Sequence, residues 1–168
     1  MSGPYHDPIM CRAIGMIFSD HQHPEETPIQ PDFARDCIGR LELYAEYAEG
    51  LKDIEGFSHL ILLYVFHQAQ DAPLVITPFL DDVPRGIFAT RHPGRPNHIG
   101  LSVVRLLRRE GAVLHIAEVD ILDQTPLIDI KPYVPRFDAP EGASGGWTED
   151  VDPALARMRG RRWFRGKP

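Results

Sequence analysis

The chain has 168 residues, of which 43% are hydrophobic and 25% are charged, and its two cysteines are Cys11 and Cys37. This length fits one domain with a short extension, and two cysteines exclude a disulfide framework, so we expect two small buried thiols. The longest apolar run is far shorter than the ~20 residues that span a bilayer. Since the first residues also lack a secretory signal, we expect a cytoplasmic protein without membrane partners.

The charge is distributed unevenly along the chain. The net charge of −6 argues against a nucleic-acid partner, but residues 85–109 hold six basic and no acidic residues, and so do residues 153–168. Purely basic blocks in an acidic chain provide the local positive charge that binding of phosphates requires. A solvated positive surface explains them equally well.

Strand signals dominate, and helices are scarce. Apolar or alternating runs predict strands over residues 11–18, 38–44, 59–66, 86–90, 101–107 and 113–121, the last two joined by a turn at Gly111. A short helix is predicted over residues 45–51, and Asp152 with Pro153 predicts the start of a helix in the tail.

This pattern predicts a mainly β fold, a compact single-domain β-barrel with short helices and a short C-terminal helical tail. A βαβ alternation and a glycine-rich dinucleotide fingerprint are both missing from the sequence. We expect the barrel to occupy residues 8–138, and residues 139–168 to form a linker and a basic tail.

Polar residues between rigid prolines mark four candidate site segments. The densest is residues 86–100, where Arg91, Arg95 and Asn97 offer hydrogen-bond donors. Residues 120–135 carry Asp123 and Thr125 at a turn and Lys131 and Tyr133 on one face of an extended segment. The others are residues 28–30 and 67–68. Ordinary polar loops are the alternative for each.

Histidines raise the question of a metal site. His21 and His23 lie in one polar loop, and His92 and His98 lie in another. The helical zinc motif His-Glu-x-x-His does not occur, so we expect solvated surface here and no metal.

Eight short motifs occur in one order along the chain. They begin at residues 14, 28, 56, 66, 86, 95, 123 and 129, and they include Pro28-Ile-Gln30, Phe66-His-Gln68, Arg95-Pro-Asn-His-Ile-Gly100 and Asp123-Gln-Thr-Pro126. In this combination the chain resembles the TsaA-like (YaeB/TrmO) family of tRNA N6-threonylcarbamoyladenosine methyltransferases. The resemblance covers roughly residues 10–138.

The resemblance implies a β-barrel that binds S-adenosyl-L-methionine near a homodimer interface and methylates threonylcarbamoyladenosine in tRNA beside the anticodon. By motif match, the cofactor contacts are Pro28, Ile29, Gln30, His67, Gln68, Arg91, Leu101, Asp123, Gln124, Thr125 and Pro126. Two positions depart from the usual family motifs: His98 stands where proline is usual, and Gln124 stands where glycine is usual. The second change places in doubt a turn that requires a positive φ.

The implied reaction suggests roles for further residues. The acceptor nitrogen N6 is a weak nucleophile, so a base or a polarising donor is needed, and the candidates are His67, Asp123 and Tyr133. We expect Arg95, Asn97, Lys131 and Tyr133 to bind the substrate, because its carboxylate and phosphates need cations and donors. The alternatives are a dimeric S-adenosylmethionine-binding regulatory protein, a methyltransferase of small metabolites and, more remotely, a metal-dependent hydrolase.

Overall fold

A computed structural model describes residues 8–29, 34–152, Ala156 and Arg159. The strands are β1 Gly15–Ser19, β2 Ile38–Leu43, β3 His59–Val65, β4 Val75–Ile76, β5 Arg85–Gly86, β6 Ile99–Glu110, β7 Val113–Ala117 and β8 Thr125–Pro132. One short α-helix, α1 Pro135–Asp138, follows β8. The 3-10 helices are Pro24–Glu26, Ala45–Leu51, Ile54–Gly56, Ile87–Ala89 and Gly146–Asp150.

Six strands close into a barrel in the order β1-β2-β7-β6-β3-β8, and all neighbouring pairs are antiparallel. The strands β4 and β5 form a separate two-stranded sheet. The prediction of a mainly β chain built on a β-barrel is therefore confirmed.

The barrel interior follows from the alternation of side chains along each strand. In β3 the inward residues Leu60, Leu62 and Tyr64 are no more than 2% exposed, and they alternate with partly exposed neighbours. The same cluster receives Ile17 from β1 and Leu41 from β2, with others from β6, β7 and β8. Small barrels of this kind are filled by side chains, so a binding site must lie at the rim.

The longest strand, β6, links the two halves of the barrel. It pairs with β3 along its first half and with β7 along its second half, with an irregularity between Leu106 and Arg108. Gly111 adopts φ 62° at the turn between β6 and β7, which confirms the hairpin predicted there.

Three local predictions need correction. Residues 86–90 do not form a strand, because β5 ends at Gly86 and Ile87–Ala89 turn into a 3-10 helix. The first strand begins at Gly15, after the predicted start at residue 11. Both cysteines are free, but Cys11 is exposed and Cys37 is partly exposed, so neither is a buried thiol.

The C-terminal segment packs against the small sheet. The Trp147 indole Nε1 donates a hydrogen bond to the Ala89 carbonyl oxygen at 2.8 Å, and the Arg85 guanidinium lies 5.1 Å from the centre of the Trp147 ring. Arg159 forms two hydrogen bonds to the Asp82 carboxylate, at 3.1 and 3.0 Å. The chain after the barrel is therefore held beside residues 82–89. Apart from Ala156 and Arg159, the tail beyond Asp152 lies outside the described residues.

Among the residues that the structure describes, none of the helices has the length and apolar character needed to cross a membrane.

Candidate functional site

Two adjoining depressions open at one end of the barrel, where β3 ends and β6 and β8 begin. The rings of Tyr64 and Phe66 border both, packed edge to face with their centres 5.3 Å apart. The larger depression, a cleft of about 910 Å³ including its open mouth, is lined by Ile29, Leu63, Tyr64, Phe66, Arg91, Arg95, Ile99, Gly100, Leu101 and Asp120. The smaller pocket is lined by Pro24, Tyr64, Phe66, His67, Gln68, Ala69, Ile121, Leu122 and Thr125.

The larger cleft combines an apolar lining with three charged residues. Arg91 and Arg95 come from the loop before β6, and Asp120 follows β7. Apolar walls with a few placed polar groups are typical of small-molecule sites. A guanidinium presents a planar fork of donors suited to a carboxylate or a phosphate.

The loop that carries the arginines is fixed to the end of β3 by its backbone. The His98 N–H donates to the Arg95 carbonyl oxygen at 2.9 Å, and the Phe66 N–H donates to the His98 carbonyl oxygen at 2.8 Å. The Ala72 N–H donates to the Gly94 carbonyl oxygen at 3.0 Å. Since proline also presets φ at two positions in this loop, the arginines are held on a rigid segment.

His67 and Thr125 meet in the smaller pocket. The Thr125 hydroxyl donates to the Leu122 carbonyl oxygen at 2.7 Å, and its oxygen lies 3.3 Å from Nδ1 of His67. A hydroxyl has one proton to donate, so Nδ1 of His67 carries the hydrogen in this contact and Nε2 keeps its lone pair. Desolvation lowers the pKa of His67, although a hydrogen bond with the Val65 backbone opposes it, and the imidazole is neutral at pH 7.

Asp123 links the start of β8 to the end of β1. Its Oδ1 accepts a hydrogen bond from the Ser19 N–H at 3.0 Å, and its own N–H donates to the His21 carbonyl oxygen. Desolvation raises the pKa of Asp123, but hydrogen bonds from the Ser19 backbone and from the side chains of Gln124 and Gln22 outweigh it, so the pKa is lowered. A carboxylate stabilised in this way is a weaker base than the neutral His67.

Both positions that depart from the family motifs have a left-handed backbone. Gln124 has φ 57°, so the turn before β8 keeps the positive φ that glycine adopts without strain. His98 has φ 49°, a conformation that the proline usual in the family cannot reach, because its ring fixes φ near −65°. The loop after Arg95 therefore has its own backbone path in this chain.

The structure brings many of the candidate residues together, and it separates others from them. Ile29, Arg91, Arg95 and Leu101 line the larger cleft, and His67, Gln68 and Thr125 line the smaller pocket. Pro28 is buried just before Ile29, Asp123, Gln124 and Pro126 flank Thr125, and Asn97 is exposed in the arginine loop. Gln30 lies outside the described residues.

Lys131 and Tyr133 lie at the opposite end of the barrel. Lys131 is six residues beyond Thr125 on the extended strand β8, a rise of about 20 Å. Its amine pairs with the Asp129 carboxylate at 2.7 Å, and the ring of Tyr133 packs against His59. Within one chain these two side chains do not share the pocket of His67.

Sequence reasoning assigned no role to four residues that border the cleft or support it, although Phe66 opens one of the motifs and Asp120 opens a candidate segment. Tyr64, Phe66, Ser102 and Asp120 come from three separate segments, and local spacing gives no hint that they meet. For Ser102 the available signal was its polar side chain within an apolar strand. Among the described residues, no group of three histidine, cysteine, aspartate or glutamate side chains converges in a way that could hold a metal ion.

Comparisons with known proteins agree with this architecture. The sequence profile of the tRNA-methyltransferase O N-terminal domain family matches residues 16–139. A probable S-adenosyl-L-methionine-binding protein of Pyrococcus abyssi is 52% identical over 151 residues, which are 90% of this chain and 82% of that protein. A tRNA (adenine(37)-N6)-methyltransferase of Escherichia coli is 36% identical, over 84% of this chain and 64% of that enzyme.

The fold has a counterpart among solved structures. The crystal structure of TrmO from Pseudomonas aeruginosa superimposes with a TM-score of 0.71 at 39% sequence identity. The match covers 88% of this chain and 64% of that one. The chain thus spans about two thirds of the length of the solved TrmO chain and of the Escherichia coli enzyme.

Proposed function

The chain belongs to the tRNA-methyltransferase O N-terminal domain family, and from this premise we propose that it uses S-adenosyl-L-methionine to methylate N6 of threonylcarbamoyladenosine in tRNA, near the anticodon. The observation that carries the proposal is that the expected cofactor residues converge around Tyr64 and Phe66. Six of the expected cofactor residues, from five separate segments, line the two adjoining depressions: Ile29, His67, Gln68, Arg91, Leu101 and Thr125. The Escherichia coli relative is named for methylation of adenine at N6, which supports the same reaction here.

The side chains of the cleft fit the chemistry of this cofactor. Arg91 offers a guanidinium group for the carboxylate of its methionine part, and Ile29, Ile99 and Leu101 offer apolar surface for its adenine. A rigid cleft holds two reactants in alignment and excludes water, which is the main requirement of a direct displacement. When bound, the cofactor supplies an electrophilic methyl group on a positively charged sulfur.

His67 is the candidate base that the geometry supports best. Its Nδ1 points to the Thr125 oxygen, so the lone pair of Nε2 is available, and the lowered pKa keeps the ring neutral. Methyl transfer would form the bond between N6 and the methyl carbon, break the bond between that carbon and the sulfur, which leaves as a neutral thioether, and release the N6 proton, which we propose that Nε2 takes. Asp123, with its lowered pKa, holds the turn beside the base.

We propose that tRNA binds across the two basic segments. The first, residues 85–109, carries Arg91 and Arg95, and the contacts of Trp147 and Arg159 hold the start of the C-terminal segment beside it. We keep residues 139–168 as a proposed linker and basic tail that adds phosphate contacts, in an enzyme that acts in the cytoplasm. Asn97, Lys131 and Tyr133 remain proposed substrate contacts.

We also propose a homodimer, formed by the outer face of β3 and β6. Three cross-strand pairs on this face are apolar: Ile61 with Val103, Leu63 with Leu101, and Val65 with Ile99. Leu63, Ile99 and Leu101 also line the cleft, so a second copy on this face would close its mouth. Val103→Glu is expected to give monomers in sedimentation equilibrium, whereas Leu107→Glu, on the other half of β6, is expected to leave the dimer intact. A monomeric wild-type chain would contradict the dimer.

The reaction is tested with methyl-labelled S-adenosylmethionine and tRNA that carries or lacks the threonylcarbamoyl group. Label in the modified tRNA alone is the expected result, and His67→Gln is expected to reduce it by a far larger factor than it weakens cofactor binding. The second candidate is a cofactor-binding protein without turnover, which the name of the Pyrococcus abyssi relative favours. Cofactor binding with no label in either tRNA would support that candidate.

A further inference from the structure

A buried chain of hydrogen bonds ends at the wall of the larger cleft. Tyr64, Ser102 and Asp120 are 2%, 0% and 3% exposed. The Ser102 hydroxyl donates to Oδ1 of Asp120 at 2.6 Å, and the hydroxyl of Tyr64 lies 3.0 Å from the Ser102 oxygen. Because the one Ser102 proton is directed at the carboxylate, Tyr64 is the donor in the second bond. The hydrogen-bond chain therefore runs from Tyr64 to Ser102 and from Ser102 to Asp120, and the Ser102 hydroxyl stabilises the charged form of the carboxylate.

The barrel is shaped to hold this chain. Tyr64 pairs with Gly100 across β3 and β6, and a Cβ atom at position 100 would overlap the Tyr64 ring. Glycine therefore leaves room for the ring to lie across β6, with its hydroxyl beside Ser102. The polar Ser102 lies on the inward face of β6, among side chains such as Leu62 and Val104 that are fully buried.

Asp120 borders the cleft with a carboxylate that is almost removed from water. Burial of a carboxylate is costly unless hydrogen bonds and opposite charge compensate for it, and the proximity of Leu63, Ile99 and the aromatic rings keeps the dielectric low. The lining of the cleft thus contains one negative group, on its inner wall, and two guanidinium groups. A ligand that carries both an anionic and a cationic group is complementary to this arrangement.

We infer that Asp120 is the counter-ion of the sulfonium group of S-adenosylmethionine and distinguishes the charged substrate from its neutral thioether product. This inference rests on the proposed function. A sulfonium has a permanent positive charge and no N–H or O–H donor, so charge and the faces of aromatic rings are what can recognise it. Asp120 supplies the charge, and Tyr64 and Phe66 border the same cleft.

A negative charge at this position makes the site bind the charged substrate more tightly than the neutral product. Loss of the methyl group converts the sulfonium into a neutral thioether, so the attraction to Asp120 is lost on turnover. Asp120 therefore favours substrate over product, and removal of its charge reduces that preference while the contacts to adenine and to the carboxylate remain.

The test compares the affinities for S-adenosylmethionine and S-adenosylhomocysteine by calorimetry on the full chain. Asp120→Asn keeps the shape and removes the charge, and it is expected to weaken binding of S-adenosylmethionine about ten-fold more than binding of S-adenosylhomocysteine. Ser102→Ala, which keeps the carboxylate but removes its donor, is expected to change the ratio in the same direction by a smaller factor. Glu42→Gln, an exposed charge on β2, is the matched control and should leave the ratio unchanged.

Equal weakening of both ligands by Asp120→Asn, or no weakening of either, overturns the assignment of Asp120. Should Asp120→Asn fail to fold, Ser102→Ala decides the question, since an unchanged ratio there also overturns it. A wild-type chain that binds neither compound contradicts the proposed function itself, and this outcome is separate from a change of ratio.

Discussion

The buried chain from Tyr64 through Ser102 to Asp120 predicts a coupling energy that unfolding experiments can measure. Tyr64→Phe deletes the neutral hydrogen bond to Ser102, which contributes about 1 kcal/mol. Ser102→Ala deletes the same bond and a second one to a charged group, so it is expected to cost about 3 kcal/mol. The double variant loses the shared bond once, and its cost should also be about 3 kcal/mol rather than the additive value of about 4 kcal/mol.

The assay is urea unfolding of the wild type, both single variants and the double variant. An unchanged slope with shifted midpoints ensures that the four free energies of unfolding are comparable. A coupling of about 1 kcal/mol is large enough to resolve. The pair Tyr64→Phe with Ser58→Ala is the control, since the hydroxyl of exposed Ser58 contacts His59, and the two free-energy changes should add independently. Strict additivity for Tyr64 and Ser102 would refute the proposed hydrogen-bonded chain.

Three further predictions concern the cleft and the tail. His67 should titrate below its ordinary pKa of 6.5 by NMR, with Nδ1 protonated in the neutral ring, and stability should decrease as the pH falls from 6.5 through the folded pKa, because the unfolded chain binds the proton more readily; a midpoint above 6.5 would contradict the proposed environment. Arg95→Ala should reduce turnover of tRNA more than cofactor affinity, whereas Arg40→Ala, an exposed arginine of β2 outside both basic segments, should leave both unchanged; equal loss of turnover and affinity in Arg95→Ala would exclude a substrate role. Deletion of residues 153–168 should weaken tRNA binding and reduce its salt dependence, since six basic residues are removed; an unchanged salt slope would remove the tail from the interface.

The barrel strands could be predicted because their buried side chains form apolar runs in the local sequence. Residues 59–66 and 101–107 are dominated by apolar side chains, and the structure places β3 and β6 there as neighbours. The strand predicted over residues 86–90 was wrong because a short apolar run does not distinguish a strand from a 3-10 turn. A partner strand decides between them, and pairing of β4 with β5 ends at Gly86.

The candidate site could be predicted only in part. The motifs identified the loops that line the cleft, but Asp120, Ser102 and Tyr64 are 18 and 38 residues apart along the chain, and only the closed barrel brings them together. Lys131 illustrates the opposite case. It lies close in sequence to Thr125, yet the extended backbone of β8 carries it about 20 Å away.

The turn before β8 shows that glutamine can replace glycine at position 124 and keep a positive φ. Glycine is usual at position 124 in the resembled family, and the structure keeps a positive φ there with Gln124. An L-residue in this region costs about 1–2 kcal/mol, so the turn persists with some strain. The docking of Trp147 had no counterpart in the sequence reasoning, because the glycine-rich residues before it are typical of a linker.

The most direct test of the proposed function is transfer of labelled methyl from S-adenosylmethionine to tRNA with and without the threonylcarbamoyl group. We expect label at N6 of the threonylcarbamoylated adenosine alone, and no label in the unmodified tRNA. Equal labelling of both tRNAs would contradict the proposed substrate. No label in either, with cofactor binding intact by calorimetry, would contradict the proposed reaction.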